Sequence, residues 1–203
     1  MTSLKEALSA GPDKEANHAA LPGIAVFAFV DIASFMVFFI IFMVERLKAE
    51  ALFASSASML NLSLGLVNTL ILVTSGFCVA MAEAKVVEAG GGPDKASKRW
   101  LLGGIAVGAF FFFTKLYEYN AKISVGINPT TDIFFTYYFV LTGIHFIHYL
   151  AGIVLLSLLA SGRWRAKSNY AIWMRSGALY WHMVDIIWLV MFPILYLQTG
   201  AGS

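Results

Sequence analysis

Three pairs of polar side chains, each three residues apart, stand inside apolar stretches of this chain: Lys115 and Glu118, His145 and His148, His182 and Asp185. A single carboxylate, Asp31, interrupts a fourth apolar stretch. Residues at i and i+3 of a helix project from one face, so each pair can act as a unit. A carboxylate at the middle of an apolar helix costs roughly 2.5–3.5 kcal/mol on insertion scales, so each of these groups needs a partner or a task. The types present allow a short range of chemistry. His182 and Asp185 can form a buried hydrogen-bonded clamp between helices, a proton relay or a haem-ligand site, and Trp188 extends the same face. His145 and His148 can hydrogen-bond between helices or ligate a metal or haem, with Gly152 on their face leaving room for a neighbour. A membrane metal site would want further ligands on adjacent helices. Lys115 and Glu118 suit a structural ion pair, with Lys115 also able to snorkel to the interface; a proton-conducting Glu118 is the alternative.

The elements that carry these residues follow from hydropathy. Of 203 residues, 59% are apolar and 13% charged, with a mean hydropathy of +0.76; soluble domains hold about 45–50% apolar residues. A net charge of +2 gives no footprint for nucleic acid. Five apolar segments run from about Gly23 to Val44, Leu60 to Ala82, near Trp100 through Lys115 and Glu118, Ile133 to Ala160, and Ser176 to Leu197. Each is near or above the roughly 20 residues that cross a bilayer core. None alternates apolar with polar as barrel strands do. The expected fold is therefore all-α, a polytopic bundle of five transmembrane helices over residues 23–198, with a polar tail at 1–22 and a short tail at 199–203. Lys5, Lys14, Lys85, Lys95, Lys98, Arg99, Arg163, Arg165, Lys167 and Arg175 fall on one side, against Arg46, Lys48, Lys115 and Lys122 on the other. The basic side is expected to be cytoplasmic, which puts the N-terminus inside and the C-terminus in the periplasm. The tail, with Lys5, Glu6, Asp13, Lys14, Glu15 and a solvated His18, lacks the short apolar core of a secretory signal.

Other features read as packing. Asn61, Gly65, Asn68, Leu72, Ser75 and Gly76 lie near one stripe of the second span, where small and amide side chains let helices approach. Gly90, Gly91, Gly92 and Pro93 break the helix after it. Asp132 suits the start of the fourth span. Cys78, the single cysteine, is expected to be a small buried hydrophobe. Phe110–Phe113 would supply lipid-facing or partner-facing surface.

The stretch Tyr180, Trp181, His182, Met183, Val184, Asp185, Ile186, Ile187, Trp188 resembles the seventh helix of subunit III of the haem–copper oxidases, with its Trp-His-x-Val-Asp-x-x-Trp signature. Phe139–His148, containing Thr142, Gly143, Ile144 and His145, is similar to the sixth. Lys115–Tyr119 is similar to the end of the fifth, where the family often has Gln at the Lys115 position. Asn68, Thr69, Ser75 and Gly76 resemble the fourth, and Ser34–Phe39 the third, so the resemblance covers about Phe27 to Tyr196. It implies that the family's first two helices, one arm of a lipid-filled cleft, have no counterpart here. The family's intramembrane Glu is replaced by Phe35, and Asp31, one turn earlier on the same face, is a candidate substitute; a packing or water-bound Asp is the other reading.

What the resemblance implies is a non-catalytic accessory subunit in the bacterial inner membrane. The short five-helix form is similar to accessory subunits of bacterial oxidases and to the subunit encoded alongside nitric oxide reductases. In that family haem and copper reside in partner subunits, while subunit III binds lipid, supports assembly and sustains turnover. The expectation is thus no catalytic residue and no metal or cofactor in this chain beyond a bound phospholipid, with membrane lipid and a catalytic haem-binding subunit as partners. Asp31, Lys115, Glu118, His145, His148, His182 and Asp185 are expected to form one hydrogen-bonded polar core. The alternatives are a haem b cytochrome using His145 or His148 with His182, and a small transporter using Asp31 and Glu118.

Overall fold

In the computed structural model of the protein, residues 12–92, 94–162 and 170–197 are described, with side chains from Gly23 onward. The expectations placed on the N-terminal tail, on Arg163, Arg165 and Lys167, and on the C-terminal tail fall outside the described side chains.

The described residues form helices and no strand: α1 (Pro12–Lys48), α2 (Glu50–Ser58), α3 (Leu62–Glu88), α4 (Lys95–Ser124), α5 (Ile133–Ala160) and α6 (Tyr170–Tyr196). Five of them are long and apolar enough to cross a membrane, at Gly23–Lys48, Leu62–Glu88, Lys95–Ser124, Ile133–Ala160 and Tyr170–Tyr196. The expected spans are all present. Their ends extend further into polar sequence than hydropathy alone suggested, because a helix continues until its backbone is capped rather than until the apolar run stops.

The caps are visible. Asp94 Oδ2 accepts from the Ala96 and Ser97 amides, so α4 begins at Lys95, ahead of its apolar run. Those amide donors hold the Asp94 carboxyl below its usual range. Asn61 caps α3 through Leu64 N, which removes it from the packing stripe. Asp132 caps α5 through Phe135 N, and its other oxygen accepts from Ser56 Oγ at 2.7 Å. That second bond seats α2, a short helix the apolar pattern did not announce, against the start of α5. Phe53 completes the seat by packing edge-on to Phe42 and Phe134. At the opposite end α3 stops at Glu88, and Gly90 and Gly91 turn the chain at φ of 72° and 89°, a region that glycine enters without steric cost.

α6 is the central helix. It packs against α1, α3 and α5, while α1 and α3 make no contact with each other. Small residues set these approaches. A side chain at Gly65 would strike Tyr196 and Phe192, one at Gly76 would strike the Asp185 carboxylate, and one at Gly152 would lie 2.7 Å from the Trp181 ring. Between α3 and α4, Ser75 Oγ donates to Gly104 O and Ser97 Oγ to Ala82 O. Hydroxyls that bond backbone across a helix pair satisfy themselves without water and hold the pair in register. The Gly104-x-x-x-Gly108 spacing on α4 is a sequence signal for this contact that the apolar reading passed over.

The phenylalanine run on α4 is divided by the helix period. Phe111 is fully buried, whereas Phe110 and Phe113 are more than half exposed. α1 keeps a broad apolar outer face, including Phe29, Val37, Ile40 and Leu47. Such a surface suits lipid hydrocarbon or another helix.

Candidate functional site

The polar residues inside the spans do not form one core. The bundle distributes them to four places, because each helix turns its polar positions toward different neighbours.

The most enclosed place surrounds Lys115, which is fully buried, with Glu118 at 2% exposure. Snorkelling is therefore not what Lys115 does. Its ammonium donates to Glu118 Oε2 at 2.9 Å, Tyr196 OH at 3.2 Å and Tyr138 OH at 3.3 Å. Tyr196 OH in turn donates to Glu118 Oε1 at 2.6 Å. Three ammonium protons thus meet three acceptors, and both carboxylate oxygens are engaged. The rings of Tyr138, Tyr119, Trp188 and Tyr196 stand 4.9–5.9 Å from Nζ, so the cation also faces aromatic π clouds. Tyr119 OH bonds Thr142 Oγ1 at 2.7 Å, which fixes one wall of this cage. Tyr138 and Tyr196 were not among the expected polar core. Their hydroxyls are hidden in sequence because tyrosine counts as an apolar, interfacial residue until a buried partner is known.

The second place joins α1 to α5. His148 Nδ1 bonds Ile144 O at 2.8 Å, and its Nε2 lies 3.3 Å from Asp31 Oδ2 without hydrogen-bond alignment. Phe35 meets the same imidazole edge-on, at 5.9 Å between centroids. Asp31 and Phe35 therefore do share a face, and Asp31 brings a carboxylate to that face. Tyr180 OH donates to His148 O at 3.1 Å, which adds α6 to the site.

The third place is His145, fully buried, whose Nε2 donates to Val184 O of α6 at 3.1 Å. It packs against Phe111 and Trp188. The two histidines of α5 thus serve different neighbours, His145 facing α6 and His148 facing α1.

The fourth is His182 and Asp185. Their Nδ1 to Oδ2 separation is 3.8 Å, too long for the hydrogen bond expected of the pair. Asp185 instead lies against the bare backbone of Gly76, nearly buried, while His182 is about a third exposed on the outer face of α6. Trp188 does extend the face, donating from Nε1 to Thr69 Oγ1 at 3.0 Å. The three imidazoles of the haem alternative point to separate surroundings, and both ring nitrogens of His148 already face protein oxygens. Among the described residues no group of three or more His, Cys, Asp or Glu side chains is gathered for a metal. Cys78 differs from expectation: it is half-buried, lining a groove between α3 and α4, because it sits on the rim rather than the seam of that contact.

A bundle with five helices long and apolar enough to span a bilayer, and with polar side chains set between them, defines a multi-pass membrane protein. Residues 17–199 match cytochrome c oxidase subunit III. The chain is 29% identical to cytochrome c oxidase subunit 3 of Synechocystis sp. over 180 residues, which are 86% of this chain and 74% of that one. It is 31% identical to the corresponding protein of Thermostichus vulcanus over 137 residues, 66% of this chain and 65% of the other. It is also 29% identical to cytochrome bo(3) ubiquinol oxidase subunit 3 of Pseudomonas aeruginosa, over 66% of this chain and 63% of that protein. The chain belongs to the cytochrome c oxidase subunit III family. It spans about two thirds of the length of the Thermostichus vulcanus relative.

Proposed function

We propose that this chain is a non-catalytic accessory subunit of a respiratory haem–copper oxidase or nitric oxide reductase in the bacterial inner membrane. In this reading haem and copper belong to partner subunits, and the chain supports assembly, stability and sustained turnover of the catalytic one. The family match through all five spans carries the proposal. The closed Lys115–Glu118–Tyr196 network supports it, since a satisfied buried network of this kind rigidifies the helices that share it. The uncovered apolar face of α1 offers area to a partner helix. Asp31, Lys115, Glu118, His145, His148, His182 and Asp185 act in this proposal as structural groups.

Deleting the chain is expected to leave the partner enzyme haem-loaded and active in its first turnovers. Activity should then decay faster during sustained turnover, or the membrane yield should drop. The comparison is made at matched haem content, and complete loss of activity in a fully assembled partner would overturn the proposal. The subunits that co-purify in mild detergent distinguish an oxidase from a nitric oxide reductase.

The orientation belongs to the same proposal. The end formed by the α3–α4 turn carries Lys85, Lys95, Lys98 and Arg99, and Lys115 leaves the opposite tally because it lies within the bundle. That end is proposed to be cytoplasmic. A reporter active only in the periplasm should be silent when fused after Gly91 and active after Ser203. The reverse pattern would sink the assignment.

A further inference from the structure

The α3–α4 pair carries a groove on its outer face that no part of the accessory reading uses. It is lined by Cys78, Ala96, Arg99, Trp100, Gly103 and Val107 and encloses about 500 Å³. Five of these residues fall on one stripe of α4, at helical spacing from Ala96 to Val107. At 1.5 Å per residue the stripe descends roughly 16 Å from the start of the helix, about half of a hydrocarbon core of roughly 30 Å. The groove is therefore one leaflet deep. Gly103 borders open space: a Cβ there would meet nothing within 4 Å. Trp100, which lines it, meets Phe77 of α3 edge to face at 6.1 Å.

At the mouth stands Arg99. It is exposed, and among the described residues it has no ion pair or hydrogen bond. The nearest carboxylate in sequence, Asp94, is committed to the α4 amides. Lys95 and Lys98 share the same turn, so the mouth is basic. A guanidinium at the interface, a tryptophan at headgroup level and an apolar slot one leaflet deep are complementary to a single class of ligand.

We infer that this groove binds an anionic phospholipid, with Arg99 on the phosphate and one acyl chain lying over Gly103 toward Val107. The site differs from the polar clusters of the interior and does not depend on which catalytic partner the chain has. Its geometry supplies its own reporter, because Cys78, the only cysteine in the chain, lines the slot.

The test uses the full chain with whatever subunits purify with it, in vesicles of phosphatidylcholine with increasing phosphatidylglycerol. Modification of Cys78 by a lipid-soluble maleimide is followed by mass spectrometry of its peptide. Phosphatidylglycerol is expected to slow the modification several-fold. Arg99→Gln should raise the phosphatidylglycerol fraction needed for half protection by about tenfold, the order expected for loss of a charge-assisted hydrogen bond. Gly103→Leu starts from a Cβ that meets nothing within 4 Å and puts its branch into the slot, so it should slow modification in either lipid and abolish the dependence on phosphatidylglycerol. Native mass spectra of the wild type should retain phosphatidylglycerol that both variants lose. Equal modification rates at every lipid composition would overturn the inference. So would protection in both lipids that disappears only when a partner subunit is stripped away, which would assign the groove to a protein helix. Failure of the lipid arms leaves the co-purification test of the accessory role untouched.

Discussion

Glu118→Ala is expected to destabilise the protein by about 3–5 kcal/mol, the cost of leaving a buried cation without its counter-charge. Lys115 has no solvent to turn to, being fully buried and ringed by Tyr119, Tyr138, Trp188 and Tyr196. The aromatic faces offset only part of the loss, at roughly 0.5–2 kcal/mol for a cation–π contact. Tyr196 OH would lose its acceptor as well. The measurement is the thermal unfolding midpoint in detergent, together with the yield of monodisperse protein. The double variant Lys115→Met with Glu118→Leu removes both charges and keeps most of the volume. It should recover much of the stability, with a coupling energy of about 2 kcal/mol or more between the two positions. If the two single losses simply add, the ion pair is not the unit described above.

The second large effect comes from one chemical change made twice in α5. Gly152→Ala should destabilise by about 1–3 kcal/mol, because its Cβ would lie 2.7 and 2.9 Å from the Trp181 ring. Trp181 cannot swing aside: it is fully buried, and on α4 a Cβ at Gly108 would lie only 3.2 Å from it. Gly143→Ala, on the same helix, has nothing within 4 Å of the added carbon. It should be neutral or stabilising by up to about 1 kcal/mol, since alanine is the better helix former. Opposite signs in unfolding midpoint are the expected result. Equal losses at both sites would mean that α5 does not pack on α6 through Gly152.

What was legible in the sequence was whatever depends on one helix at a time. Five spans follow from apolar length without alternation, since only helices and closed barrels satisfy their backbone in hydrocarbon and barrel strands alternate. The stripe of Gly65, Asn68, Leu72, Ser75 and Gly76 is buried against neighbours, as its spacing implied. The Lys115–Glu118 pair is local to one turn of α4, and so was available at i and i+3. Asp132 caps α5 for the same reason of short range.

What the tertiary structure decided is which helix each face meets. His145 and His148 read as one pair, yet α5 lies between α6 and α1 and gives one histidine to each. His182 and Asp185 read as a hydrogen-bonded clamp, but the approach of α3 at Gly76 holds the carboxylate 3.8 Å from the imidazole. Lys115 read as an ion-pair partner that could also snorkel, and Tyr138 of α5 and Tyr196 of α6, closing over it, remove the second option. The helix period fixes the direction of a side chain about its own axis. Only the packing of the other helices fixes whether that direction leads to lipid, to backbone or to a charge.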